Sequence, residues 1–348
     1  MTTIIFKNKA VASAEPVLGI VEEYINEFFS LMPEGVNGVE TIDDLLGPSA
    51  VLGEILTAFQ NGGGRIVSFF SFLMLSAIVA YLASIYAGRL SPLAEAAASI
   101  VALLPAIYEL LALADEAALG LGEICTFFSN LIPLLLSVMI AGGGSGASVT
   151  SGMQMSIVAS AIQVVSSEAL LPMVRVILLL GGVSALGGSG AEKIIGAFRN
   201  FFTKGLGLAS TLVCALFALQ SVIAGAADTA TLRLAKFTAQ SLVPAVGSVI
   251  TASMSTLSSG LSYARGVIGA GAIGGILWIM ISPLVILMSY RLAVSVCLDF
   301  AAALGVKPYS RVLAAMQYAL DGIISVFIIS GVLIILQLVI FIKSGAEI

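Results

Sequence analysis

Hydrophobic positions fall into long runs almost free of charge, separated by short polar or glycine-rich stretches. Eight apolar runs stand out, near 66–87, 93–113, 124–141, 153–167, 169–187, 206–227, 266–290 and 320–342. Most approach the roughly 20 residues that carry a helix across a bilayer core. The pattern predicts an all-α polytopic transmembrane helix bundle of about eight spans, with six to nine admissible. The run 153–167 is short and carries Gln154 and Gln163, and 292–305 reads equally as a re-entrant or interfacial helix.

Ahead of these runs the periodicity changes. Val17, Ile20, Tyr24, Phe28 and Leu31 recur at helical spacing with Glu22, Glu23 and Glu27 elsewhere, predicting an amphipathic helix that Pro33 and Gly35 stop. Thr41 and Asp44 read as a capping box, and Pro48 suits the first turn of a further helix that Asn61-Gly62-Gly63-Gly64 should end. Ala12-Ser13-Ala14 has the form of a signal-peptidase site, but the apolar stretch before it is short for a signal peptide. Two regions follow: an acidic, amphipathic-helical N-terminal extramembrane segment, 1–64, and a polytopic membrane domain, 65–348.

Residues 228–247 break the pattern of plain spanning segments. Asp228 precedes a helical pattern as an N-cap, and Arg233, Lys236 and Gln240 follow at i, i+3 spacing with a further four to Gln240, a polar stripe opposite Leu232, Phe237 and Leu242. The helix should bend or stop near Pro244, shortly before Gly247. Two readings stay open: an amphipathic or re-entrant helix with snorkelling basic residues, or a stripe that lines a conduit or grips a partner.

Composition narrows the class. At 59% hydrophobic and 10% charged the chain is no ordinary soluble domain, where charged residues run near 25%. Histidine is absent, which removes the commonest general base and metal ligand, and Cys125, Cys214 and Cys297 have no close-spaced ligand partner. No enzyme, cofactor or metal site is expected. Before Arg65 there are two basic residues against nine acids, and the rest carries a slight basic excess. Nucleic acid is therefore an unfavourable partner.

Arg89, Lys193, Arg199, Lys204, Arg291, Lys307 and Arg311 fall in loops that eight spans place on one side, so those loops should be cytoplasmic, with both termini outside; the Asp115-Glu116 loop has no basic residue. Arg233, Lys236 and Arg265 run against this scheme. The tracts 142–146 and 187–190 lack the order of a phosphate loop. Gly266, Gly271 and Gly275 fit close helix packing, in the manner of small-xxx-small contacts. Glu109, Glu168, Arg175, Asp299 and Asp321 lie in or at the ends of apolar runs, where a charge costs on the order of 3 kcal/mol and usually faces protein, water or a partner charge.

Ala227-Asp228, Arg233-Leu-Ala-Lys-Phe237, Val243-Pro-Ala-Val-Gly247, Ile132-Pro-Leu-Leu-Leu136 with its glycine-serine tract, Gly266 to Ile286 and Ala301-Ala-Ala-Leu-Gly305 together resemble the stage III sporulation protein AE family, in order, over roughly 66–342. The resemblance implies a membrane subunit of a secretion-like channel complex joining mother cell and forespore. It also implies other stage III sporulation membrane proteins and an associated ATPase as partners, besides the lipid bilayer, and a homo-oligomer is compatible with it. The membrane would be the mother-cell membrane around the forespore, with the acidic segment in the intermembrane space. Family members often carry a signal peptide, which the first residues here do not display. The alternatives are a secondary transporter for a small solute, for which no internal repeat is evident, and a non-conducting scaffold.

Overall fold

The computed structural model describes residues 15–32, 47–87, 92–141, 145–186 and 244–344, with isolated positions between 193 and 215. Helices dominate and no strand occurs among the described residues: α1 (Glu15–Ser30), α2 (Pro48–Ala87), α3 (Pro92–Ala141), α4 (Ser145–Val164), a π-helical turn (Val165–Ala169), α5 (Leu170–Ala185), α6 (Pro244–Ala303) and α7 (Lys307–Ser344). Five helical stretches are long and apolar enough to cross a membrane: Pro48–Ile85, Ala94–Ala141, Ser151–Ala185, Gly260–Ala303 and Lys307–Ile342.

Three sequence expectations are corrected here. Asn61-Gly62-Gly63-Gly64 does not end a helix, because α2 runs straight through it. The runs 93–113 and 124–141 are one helix, so Asp115 and Glu116 sit on helical turns rather than in a loop. The runs 153–167 and 169–187 are likewise continuous through the π-turn. Tertiary contact outweighs local propensity in each case. A β-carbon at Gly62 would lie 3.4 Å from Ile286, so the absent side chain lets α2 approach α6. Ser166 in the π-turn turns its hydroxyl away from its own helix and donates to the Ala118 carbonyl on α3 at 2.8 Å. The apolar run 206–227 lies outside the described residues.

Pairings between helices fix their directions. Gly62 faces Ile286 and Phe69 packs on Tyr290, so α2 runs parallel to α6. Gly120 against Pro283 and Phe127 against Gly275 make α3 antiparallel to α6. Gly152 meets Leu136, so α4 returns along α3, and Gly181 against Ala315 with Gly322 against Met173 carries α5 antiparallel to α7. The α6–α7 hairpin turns at Gly305, whose φ of 78° suits glycine. Its amide donates to Ala302 and that of Val306 to Ala301, a Schellman ending sealed by the buried pair Val306 and Ala301.

α1 behaves as its periodicity predicts. Phe28 is fully buried and seats on Gly271, while Glu22, Glu23 and Glu27 are exposed.

Candidate functional site

A layer of paired polar groups crosses the apolar bundle at mid-height. Arg65 on α2 donates from Nη1 to Glu116 Oε1 at 2.8 Å and from Nη2 to Glu109 Oε1 at 3.0 Å. The two carboxylates lie two turns apart on one face of α3, and one planar guanidinium spans them. The Tyr290 hydroxyl of α6 donates to the same Glu109 oxygen at 2.8 Å. Its ring is buried against Phe69, 4.9 Å between centroids. Three helices thus share one hydrogen-bonded cluster, with a carboxylate in excess over guanidinium.

An open groove of about 380 Å³ between α2 and α3 leads to this cluster. Phe69, Phe72, Pro105 and Ala106 give it an apolar wall, and Arg65 and Glu109 a charged end. On the next residue of α6, Arg291 Nε donates to Asp321 Oδ1 of α7 at 2.5 Å. Glu168, two residues after Ser166 in the π-turn, and Arg175 on α5 are both exposed.

Polar pairs also occur on either side of this layer. Gln337 donates to Gln154 at 3.3 Å inside the core, joining α7 to α4. Toward the Gly305 turn the Tyr309 hydroxyl donates to the Leu73 carbonyl at 2.8 Å and lies 2.6 Å from Ser76 Oγ. Near that turn Arg311 donates to the Ser184 carbonyl at 3.2 Å. Each pair bonds groups that would otherwise be stranded in an apolar medium.

The residues singled out in the sequence distribute unevenly. Asp228, Arg233, Lys236 and Gln240 lie outside the described residues. Pro244 is the first residue of α6 and Gly247 stands in its first turn. A β-carbon at Gly271 would come within 2.6 Å of the Phe28 ring, and one at Gly275 within 2.9 Å of Phe127. The neighbours that occupy these sites are therefore large aromatic side chains of α1 and α3, not other small residues. At Gly266 a β-carbon would meet nothing within 4 Å.

Glu109 and Asp321, flagged as costly charges, both have partners on other helices, whereas Arg65, Glu116 and Tyr290 carried no signal. Their spacings of 44, 51 and 181 residues exceed the reach of any helical periodicity.

The family model described as stage III sporulation protein AE matches residues 47–345. No curated protein and no solved structure matches the chain.

Proposed function

The chain belongs to the stage III sporulation protein AE family, and from that premise we propose that it is a non-enzymatic membrane subunit of the secretion-like channel complex between mother cell and forespore. The family match over 47–345 carries this reading. The bundle adds physical support, since its paired charges and amides hold long helices in a fixed register, as a rigid subunit requires. Other stage III membrane proteins and an ATPase would be its partners, with energy supplied by the latter. The 228–247 segment would line the conduit or hold a neighbour.

Six crossings complete the topology we propose. The chain leaves α5 at the end marked by the Gly305 turn and re-enters the bundle on α6 from the other end, because α5 and α6 both run antiparallel to α7. One further crossing is needed between them, and the apolar run 206–227 is available for it. Both termini then share a side. Lys307 and Arg311 lie just after the Gly305 turn, and Arg89 follows α2 in the sequence, which favours that end as cytoplasmic and the acidic α1 as facing the intermembrane space.

Single cysteines at 233, 236 and 240 in a variant lacking the three native ones test the role of the stripe. A membrane-impermeant thiol reagent should label all three in the assembled complex if they line a conduit. Labelling in the isolated protein that is lost on assembly makes them a docking surface instead. Transport of a small solute by the purified protein alone in liposomes would replace the channel-subunit reading with that of a permease.

A further inference from the structure

Between Asp115 and Asn130 every exposed residue of α3 except Leu119 is polar. Asp115, Gly122, Thr126 and Ser129 recur in steps of seven, four and three, which holds them on one face of the helix. On α4, Ser156, Ser160, Gln163 and Ser167 follow in steps of four, three and four, and all four are exposed.

The two faces adjoin. α3 and α4 pack antiparallel through Ala118 and Ser166, Cys125 and Ala159, and Leu136 and Gly152. One flank of this contact line is buried on both helices, with Ile124 and Phe128 on α3 and Met155 and Ile162 on α4, so it faces the common core. The opposite flanks therefore share the outer side, and the two polar rows border one valley. A β-carbon at Gly122 would meet nothing within 4 Å, which leaves the valley open there. At 1.5 Å per residue the α3 row extends about 21 Å.

At the same height the other side of the bundle is apolar. Phe127 meets Gly275 and Gly120 meets Pro283, while Met280, between those two positions of α6, meets Gly331 of α7. Around these contacts the exposed residues of α6 and α7 are Leu277, Ile328, Val332 and Leu336, and α7 carries no charge from Gly322 to Ile342. The boundary shows on α4 itself, where Ile157 and Val164, each one residue beyond a member of the polar row, are exposed and apolar. The cross-section is thus amphipathic as a whole: one side suits acyl chains, and the valley between α3 and α4 does not.

The chemistry of the valley suits water better than a packed helix. Thr126, Ser160 and Ser167 donate to the carbonyls of Gly122, Ser156 and Gln163 at 2.8, 2.8 and 2.9 Å, so their protons are spent within their own helices. Acceptors are left facing outward: hydroxyl lone pairs, and the carboxylates of Asp115 and Glu123, with which no side chain pairs among the described residues. A protein partner packed there would bury both carboxylates and would have to bring a cation for each. Water solvates them without that requirement.

We propose that the valley between α3 and α4 is the wall this subunit contributes to a water-filled passage, and that its acidic, acceptor-rich lining favours cations over anions. This wall presupposes the channel-subunit reading and places a lining within the bundle itself, whichever role the 228–247 stripe has.

The test uses the full chain with Cys125, Cys214 and Cys297 replaced by alanine, in membranes that carry the assembled complex. Thr126→Cys and Ser160→Cys probe the valley, and Ile157→Cys and Val332→Cys probe apolar surface at the same height. A membrane-impermeant methanethiosulfonate should label 126 and 160 and leave 157 and 332 unlabelled, because a thiol must ionise in water to react. A cationic reagent should react at 126 at least about threefold faster than an anionic one of equal size, and Glu123→Gln should reduce that ratio. Equal rates would overturn the preference for cations. Both valley substitutions exchange a hydroxyl for a thiol, and a Tm equal to that of the cysteine-free parent certifies the fold. Absence of labelling at 126 and 160 in the complex would overturn the wall: labelling there in the isolated chain in liposomes would then mean that a partner covers the valley, and none in either state that it faces lipid. Labelling at all four positions would overturn it as well, since this height would then lie outside the bilayer. Labelling at 126 and 160 alone, in the isolated chain as in the complex, upholds the wall even if the subunit reading fails.

Discussion

Arg65 shows what a single residue contributes when it serves two acids. Its side chain and that of Glu116 are about half exposed, so each contact is worth on the order of 1 kcal/mol or less where water reaches it. Geometry matters more than charge here. Arg65→Lys keeps the cation but replaces a fork with a point, and it should lose about 1 kcal/mol by dropping one carboxylate. Tyr290→Phe removes the second donor to Glu109 and should cost about 1 kcal/mol as well. Because both act on the same Glu109 oxygen, the double variant should depart from additivity by at least 0.5 kcal/mol or so, read by equilibrium unfolding in detergent. Strict additivity would mean that the three groups do not act as one cluster. The sequence marked Glu109 as an expensive charge but not the residues that bond it, because they come from α2 and α6. Arg265 was visible only as an exception to the positive-inside pattern; its burial is a tertiary property.

Among the elements, glycine misled most where it came in runs. Asn61-Gly62-Gly63-Gly64 has the composition of a helix stop, and each glycine costs a helix interior about 1 kcal/mol relative to alanine, yet contacts along α2 carry the helix onward. The three glycines are not equivalent. A β-carbon at Gly64 would meet nothing within 4 Å and one at Gly63 only the Phe59 ring at 4.0 Å, so alanine at either should stabilise by about 0.5–1 kcal/mol. At Gly62 the contact with Ile286 should cancel most of that gain. Gly305→Ala should destabilise by about 1 kcal/mol or more, since its φ of 78° strains any residue with a β-carbon. A thermal-unfolding series ranking 64 and 63 above 62, with 305 lowest, is the expected result. The amphipathic pattern of α1 and the role of Pro48 at a helix start were legible because both depend on neighbours in sequence. The continuity of α3 through Asp115-Glu116 was not, because it is the contact of Arg65 with Glu116 on a neighbouring helix that accommodates the charge there.

For the whole molecule, the all-helical membrane class follows from composition and run length, while the spans do not follow from counting runs. Two apolar runs stacked on one helix read like two spans joined by a loop, and only contacts between helices distinguish the cases. The antiparallel pairings of α5 with α7 and of α7 with α6 then carry a consequence for topology. Alkaline phosphatase fused within 142–144 or after the C-terminus should be active, and fused within 88–91 or after Gly305 inactive, as six crossings with extracytoplasmic ends require. A fluorescent protein that matures only in the cytoplasm should give the reverse pattern. Activity at 142–144 together with an inactive C-terminal fusion would mean an even number of crossings between Ala185 and Gly260, and the six-crossing topology would fail. Eight spans with Asp115-Glu116 in an extracytoplasmic loop make a different forecast at two places: phosphatase within 142–144 would be inactive, and phosphatase inserted between 115 and 116 would be active in that arrangement, whereas on the continuous α3 it interrupts the helix beside Glu116 and should abolish stable accumulation of the protein.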